Sequence, residues 1–396
     1  MSRELFMQLR EQLMERLDLA RELTDEEILD TIDDLILRGM KESGASLQEK
    51  VQFRQELFYS VRKLDVLQEL IDDDSVTEIM VNGPDCIFVE RAGKISRWNK
   101  TFTSAEKLED VIQQIVGKCN RVVNESVPIV DARLENGARV NAVVYPVALN
   151  GPILTIRRFP DQPITMDRLI ALKSLPAECA DFLKALVKAR YSIVIGGGTG
   201  SGKTTFLGAL SEYIPKDERL ITIEDNAELK ICGIENLVRL EAKMSNTDGR
   251  AAVSIRDLIR SALRMRPDRI VIGEVRGAEA LDMLQAMNTG HEGSLGTAHA
   301  NSSRDMLSRL ETMTLMGCDL PLEAIRRQIA SGVDILIHLG RMRDKTRKVL
   351  EITEVCGYSG GEIETRPLYQ WQEGKGLIKK EDLLNRDKLI RAGVKV

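Results

Sequence analysis

The sequence predicts an α/β protein. Its larger, carboxy-terminal part is a mostly parallel sheet covered by helices, preceded by a smaller α+β domain and an amino-terminal helical segment. Three observations predict this. Continuous apolar runs such as Ile193-Val194-Ile195 and Ile270-Val271-Ile272 suit strands buried on both faces. From about Thr165 onward such runs alternate with helical stretches, the rhythm of strand–helix–strand units. Between about Ser75 and Arg158 the chain instead shows short strands broken by turn signals. At about 150 residues per domain, 396 residues predict two or three domains. The boundaries are read as 1–72, 73–160 and 161–396.

Leu5, Leu9, Leu13 and Leu17 recur every fourth residue, one stripe of a first helix. Thr24 through Glu27 form a capping box, with Leu23 and Ile28 placed as a hydrophobic staple, so a second helix starts there and stops at Gly39. A third helix is expected over 47–71. In the next domain a strand over 77–81 ends at Asn82-Gly83-Pro84, strands over 86–90 and 95–98 flank a hairpin turn, and a helix follows over 105–119. Two further strands fall at 138–145 and 153–158, and Pro160-Asp161-Gln162-Pro163 makes a stiff connection. The last domain carries strands at 191–196, 219–223, 269–272, 293–298 and 334–339.

Composition removes several classes. Hydrophobic residues at 43% and charged residues at 30% describe an ordinary globular chain, not a disordered one. Aromatics at 4% and a net charge of −5 disfavour direct binding of nucleic acid. No stretch approaches the roughly 18 apolar residues of a membrane span, and the first residues offer no secretory core, so a cytoplasmic chain is expected. Cys86, Cys119, Cys179, Cys232, Cys318 and Cys356 never come within four residues of one another, which excludes paired-cysteine zinc knuckles. The charge is uneven. The first 50 residues hold 13 acidic against 7 basic side chains, and residues from Lys375 onward hold 7 basic against 3 acidic.

The sharpest signal is Gly197-Gly198-Thr199-Gly200-Ser201-Gly202-Lys203-Thr204, followed by Thr205, which fits G-x-x-x-x-G-K-[ST] between an apolar strand and a helix. Glycines let the backbone wrap a phosphate chain with its N–H groups inward, and the helix presents its positive end to the same anion. Lys203 is placed to reach the β- and γ-phosphates and the Thr204 hydroxyl to reach Mg2+, so ATP and Mg2+ are the expected ligands.

Two acidic strand ends narrow the chemistry. Glu224 and Asp225 close one apolar run, and Glu274 follows Gly273 at the end of another. In a parallel sheet the carboxyl ends of strands face the ligand crevice. Carboxylates there can hold Mg2+ through water and orient or deprotonate an attacking water. Of the three histidines, His291 and His299 lie within Asn288–Asn301, and His299 falls at a strand end where it could sense the γ-phosphate or a neighbouring subunit.

Together these blocks closely resemble the secretion ATPase superfamily. The blocks are GGTGSGKTT (197–205), TIEDNAEL (222–229), RPDRIVIGEVRGAEALDMLQAMNTGHEGSLGTAHANS (266–302) and SRLETM (308–313). They match, in order, its Walker A, Asp-box, Walker B and His-box segments. The GEVRG form, with SVTEIMVNGPDCIFVERAGK (75–94) and DARLENGARVNA (131–142), looks most like the CpaF branch, also called TadA, which powers tight-adherence (Flp-type) pili. The four-cysteine zinc insert of the type II branch is lacking.

The resemblance implies a hexameric ring motor. Each subunit would pair the α+β domain with a RecA-like ATPase domain, with ATP between them. It implies arginines approaching the phosphates, and the matching candidates are Arg133, Arg139, Arg157 and Arg158. Strand alternation puts Arg157 and Arg158 on opposite faces and leaves open which one reaches the nucleotide. Glu274 is expected to activate water, with Glu224 supporting Mg2+ and water, and Asp225, Arg276 and His291 in support. The implied partners are further copies of the chain and an inner-membrane platform protein, with pilin reached indirectly. The implied location is the inner face of the cytoplasmic membrane. The alternative is a nucleic-acid-translocating motor.

Overall fold

The computed structural model describes residues 3–17, 23–39, 46–91, 93–119, 121–134, 137–158, 163–243 and 252–394. Most of the expected connection at Pro160–Pro163 lies outside them. The chain divides into two compact units, Met1–Asp161 and Gln162–Val396.

The first unit opens with helices α1 (Arg3–Arg16), α2 (Asp25–Gly39) and α3 (Leu47–Arg62). Leu9, Leu13 and Leu17 pack against Ile28, Ile32, Leu35 and Leu57 to form one small core. The capping box of α2 is present: Glu27 N donates to Thr24 Oγ1 at 3.3 Å and Thr24 N to the Glu27 carboxylate at 2.8 Å. The single long third helix expected from the sequence is instead broken. α3 ends at Arg62, and after a 3-10 turn at Asp65–Leu67 a short helix α4 (Gln68–Asp72) follows. The break has a packing reason. Phe53 and Leu57 belong to the helical core, whereas Leu64, Leu67 and Leu70 belong to the core of the adjoining sheet. The apolar periodicity runs on, but the chain must turn to serve a second core.

That sheet contains β1 (Val76–Asn82), β2 (Ile87–Arg91), β3 (Lys94–Arg97), β4 (Ile129–Arg133), β5 (Arg139–Val143) and β6 (Ile153–Arg157) in the order β3-β2-β1-β6-β5-β4. One face packs on helix α5 (Ala105–Lys118) through Ile79, Val81, Val140, Leu154 and Ile156. β4 was not foreseen: of its five residues only Val130 is buried, so it carries no apolar run. Lys100 joins the two cores of this unit. Its Nζ lies 2.7 Å from Glu56 and 2.5 Å from Glu69.

The second unit begins with α6 (Met166–Ala171) and α7 (Ala177–Lys188), then β7 (Ile193–Gly197), α8 (Lys203–Ser211), β8 (Leu220–Glu224), β9 (Leu237–Glu241), α9 (Ile255–Ala262), β10 (Arg269–Val275), α10 (Glu279–Asn288), β11 (Leu295–Ala298), α11 (Ser303–Leu315) and α12 (Leu322–Gly332). It closes with β12 (Ile335–Arg341), β13 (Arg347–Ser359), β14 (Glu362–Gln372), β15 (Gly376–Lys379) and α13 (Asp387–Ala392). The nine strands run β15-β14-β13-β12-β7-β11-β10-β8-β9, and from β12 to β9 every pairing is parallel. Two apolar layers sandwich this sheet. One is built on Leu183, Leu186, Phe206 and Leu210, the other on Ile259, Met283, Leu284, Met306 and Leu310. The observed class is therefore the expected α/β sheet, extended by strands that were not foreseen: the parallel edge strand β9 and three antiparallel strands, β13 to β15.

Candidate functional site

β7 is the second strand of the parallel run and lies between β12 and β11, so its carboxyl end opens near the middle of the sheet. The phosphate loop starts there. Gly197 is the last residue of β7, Gly198, Thr199, Gly200 and Ser201 form the turn, and Gly202 caps α8 with φ +92°. That backbone is open to glycine and costly for other residues. Lys203, Thr204 and Thr205 form the first turn of α8. Lys203 is buried, and its ammonium folds back onto the loop, donating to Gly197 O at 3.1 Å and Gly198 O at 3.2 Å. Burial pushes its pKa below the ordinary lysine value, against the pull of Glu274.

Glu274 belongs to β10 and His299 follows β11, and both come to Lys203. Glu274 Oε1 is 3.9 Å from Lys203 Nζ and 2.7 Å from His299 Nε2, while His299 Nδ1 is 3.4 Å from Lys203 Nζ. An ammonium only donates, so Nδ1 is the acceptor and the ring proton sits on Nε2, on the side of Glu274. Burial holds His299 below its usual pKa, which keeps the ring neutral near pH 7. The other carboxylate oxygen of Glu274 accepts from Arg276 at 2.9 and 2.5 Å, and Arg276 lies 3.8 Å from Asp225.

Glu224, at the end of β8, is 2% exposed. Its Oε1 accepts from the backbone N–H groups of Glu228 and Leu229, both at 2.9 Å, while its Oε2 is buried with no hydrogen-bond partner among the described residues. Burial raises its pKa to about 7, although the two N–H bonds oppose the shift. Gly273 stands where many Walker-B strands carry an aspartate, and the geometry explains it. A Cβ at Gly273 would lie 2.8 Å from Glu224 Cγ. The neighbouring strand's carboxylate fills the space that a side chain on β10 would need, and Gly273 O accepts from Thr297 Oγ1 at 2.6 Å.

The expected residues do not all assemble. Lys203, Glu274, Arg276, Asp225 and His299 share one network, and Glu224 packs beside Gly273. His291 is not brought there, contrary to expectation. It precedes the amino end of β11, at the sheet edge opposite the phosphate loop, and its carbonyl accepts from Ser294 Oγ at 2.7 Å. In the first unit, Arg133, Arg139 and Arg157 stand opposite one another on β4, β5 and β6, continuing to Glu78 on β1, and so share one sheet face away from α5. Arg158 is directed elsewhere, to the Asp73 carbonyl and to Asp74 at 3.1 Å.

One residue at the site was missed. Arg347 of β13 donates through Nε to Gly200 O at 2.9 Å. The signal was the basic run Arg341, Arg343, Lys345, Arg347 and Lys348, five cations in eight residues. For a divalent ion the donor chemistry fits: the Thr204 hydroxyl on the first turn of α8 and the unpartnered Glu224 oxygen are both hard oxygen donors.

Known proteins resemble this chain over most of its length. A family profile described as "Type II/IV secretion system protein" matches residues 61–370. A putative conjugal transfer protein of Mycobacterium tuberculosis is 35% identical over 320 residues, spanning 79% of this chain and 89% of that protein. The type IV secretion system protein PtlH of Bordetella pertussis is 34% identical over 317 residues, spanning 73% of this chain and 93% of that one. Among solved structures, the pilus retraction motor PilT with bound ADP shares the fold at a TM-score of 0.53 and 20% identity, covering 84% of this chain and 86% of that chain. With a phosphate loop, paired carboxylates and a family match over most of its length, the chain belongs to the type II/IV secretion system protein family and is a P-loop ATPase of that superfamily.

Proposed function

We propose that the chain is the ATP-hydrolysing motor of a tight-adherence (Flp-type) pilus machine, working as a homohexamer on an inner-membrane platform protein and, through it, on pilin. The observation that carries the catalytic half is the placement of the Glu274 carboxylate beside both Lys203 and His299. A carboxylate at the carboxyl end of a parallel strand, next to the phosphate-loop lysine, can take the proton of an attacking water. The ligands are ATP and Mg2+. The ion, when bound, neutralises phosphate charge, and Thr204, with Glu224 and Glu274 acting through water, would hold it. The backbone of residues 197–202 and Lys203 hold the phosphates, with Thr205 beside them. His299 stands beside Glu274, and Arg276 holds the other carboxylate oxygen. The row Arg133, Arg139 and Arg157 supplies cations that stabilise charge on the transferring phosphoryl group.

The test is ATP turnover by the purified full chain, with particle mass measured with and without nucleotide. Turnover that needs a six-subunit particle supports the reading, and full turnover by a monomer overturns the ring. A second reading has one specific support, the conjugal transfer relative, whose name points to a DNA-transfer machine. Strong stimulation of turnover by DNA favours that reading. The pilus reading expects none, in keeping with the acidic, aromatic-poor chain.

A further inference from the structure

A cleft of about 330 Å3 opens between helices α10 and α12, and no residue of the phosphate site lines it. Gln285 and Asn288 of α10, Thr289 just beyond it, and Arg327, Gln328 and Ser331 of α12 form its walls. All six are polar, one is a cation and none is a carboxylate. The two helices lead into the amino ends of β11 and β12, so the cleft lies toward the sheet edge opposite the phosphate loop. Its volume falls within the range of ligand sites, roughly 300 Å3 and above.

The cleft is built. Asn288 ties the two helices together, its Nδ2 donating to Leu284 O at 2.9 Å and to Gln328 O at 3.0 Å. A Cβ at Gly332 would lie 2.8 Å from that Nδ2, so the missing side chain lets α12 approach Asn288. Unpaired carbonyls at a helix end carry partial negative charge. Here Gln285 O accepts from Thr289 Oγ1 at 2.7 Å, Ala286 O from Thr289 N at 3.3 Å and Ile329 O from Val333 N at 3.0 Å, which blunts that charge. Arg327 holds its guanidinium 5.4 Å from the centre of the Tyr358 ring and donates to Glu323 at 2.6 Å. The Arg327 and Glu323 side chains are 66% and 61% exposed, so this pair exchanges for another carboxylate at little cost.

We propose that this cleft docks an acidic peptide segment of a partner protein. Its polar groups call for donors as well as an anion. Both N–H groups of Asn288 are spent, which leaves its Oδ1 an acceptor. Gln328 Oε1 is buried with no hydrogen-bond partner among the described residues. A buried acceptor without a donor is costly, and the broad terminal torsion of a glutamine lets the oxygen turn to a donor in the cleft. Peptide N–H groups are such donors. Arg327 supplies the cation, and a carboxylate matches the fork of its guanidinium. A phosphodiester brings the charge and no donor, whereas a peptide carrying Asp or Glu brings both.

The experiment selects a random dodecapeptide library, displayed on phage, against the full chain. The best enriched sequence is then made as a free peptide and its affinity measured by calorimetry. Arg327 and Ser331 are exposed, so Arg327→Glu, which reverses the charge, and Ser331→Trp, which fills the cleft, leave the core intact. Thermal melting within a few degrees of wild type checks that both variants fold. The expected result is an enriched family of sequences that share an Asp or Glu. Affinity falls at least about tenfold on Arg327→Glu, on Ser331→Trp, and on replacing the peptide's own acid by its amide, the worth of a charge-assisted hydrogen bond. The amide-substituted peptide on the wild type carries the test where a variant misfolds. Three results overturn the proposal: no enriched family, an enriched family without an acid, or a peptide that binds the wild type and both folded variants equally.

Discussion

His299 Nε2 lies 2.7 Å from Glu274 Oε1, with the ammonium of Lys203 on the far side of the ring, 3.4 Å from Nδ1. A neutral imidazole placed between a cation and a carboxylate leaves that carboxylate charged. Glu274→Gln keeps the shape and removes the base. Turnover is expected to fall at least about a hundredfold, the ordinary worth of a positioned base, with ATP affinity near wild type. His299→Ala is expected to fall less, about tenfold, since it disorders the base and leaves it present. Steady-state kinetics with a parallel binding isotherm checks both, and a Glu274→Gln variant with near-normal turnover removes Glu274 from the role.

Gly273 is a packing requirement set by Glu224. An added Cβ would stand 2.8 Å from Glu224 Cγ and 3.3 Å from its Cβ, in a strand buried on both faces. Gly273→Ala is expected to cost about 1–3 kcal/mol, the usual penalty of overpacking, and to displace Glu224. Chemical denaturation reads the first effect and ATP turnover the second. A variant as stable and as active as wild type would mean that Glu224 moves aside freely.

The central strands of the sheet that carries the phosphate loop were legible because they are buried on both faces and so read as unbroken apolar runs, whereas the half-exposed edge strand β9 was not. The antiparallel extension was not, because β13 and β14 mix Lys, Glu, Thr and Arg with their apolar residues. A local signal was present all the same. Gly360 and Gly361, both at positive φ, join Ser359 to its partner Glu362, the two-residue turn that hairpins favour. The site divides likewise. Lys203, Glu274 and His299 were found through motif blocks, whereas Arg347 arrives from 147 residues beyond Gly200, a distance no local pattern bridges. The register that sets Arg157 opposite Arg139 was likewise beyond sequence alternation, which separates Arg157 from Arg158 without saying what each faces.

Glu224 ties stability to pH. Burial raises its carboxyl from 4.5 to about 7 in the folded chain. Between those values the unfolded chain has released the proton and the folded chain still holds it. The folded state thus binds more protons, and stability falls as pH rises through this window. The contribution is fully present below about 4.5 and lost above about 7. Thermal melting from about pH 5 to about pH 8 is expected to show a decline in the wild type that is flattened in Glu224→Gln, whose amide oxygen can still accept from Glu228 and Leu229. Parallel profiles for the two proteins would show that Glu224 does not carry the effect.

Arg157 and Arg158 are neighbours with different surroundings. Arg157 stands in register with Arg139, which in turn faces Arg133, so three cations crowd one row of the open sheet face. Side by side across strands, like charges repel, and Glu78 stands in the same row beside Arg157. Arg158 points the other way, with its guanidinium on the Asp73 carbonyl and on Asp74 and its backbone N–H on Thr77 O at 2.9 Å. It fastens β6 to the residues leading into β1. On the proposed role of this row, Arg157→Ala is expected to lower turnover by about ten- to a hundredfold while leaving the melting temperature within a few degrees of wild type. Arg158→Ala is expected to destabilise the first unit by about 1–3 kcal/mol, the cost of losing hydrogen bonds to a charged group, with turnover per folded chain unchanged. Turnover and thermal melting of both variants, measured on the same preparations, separate the two roles. A fall in turnover confined to Arg158→Ala would exchange them.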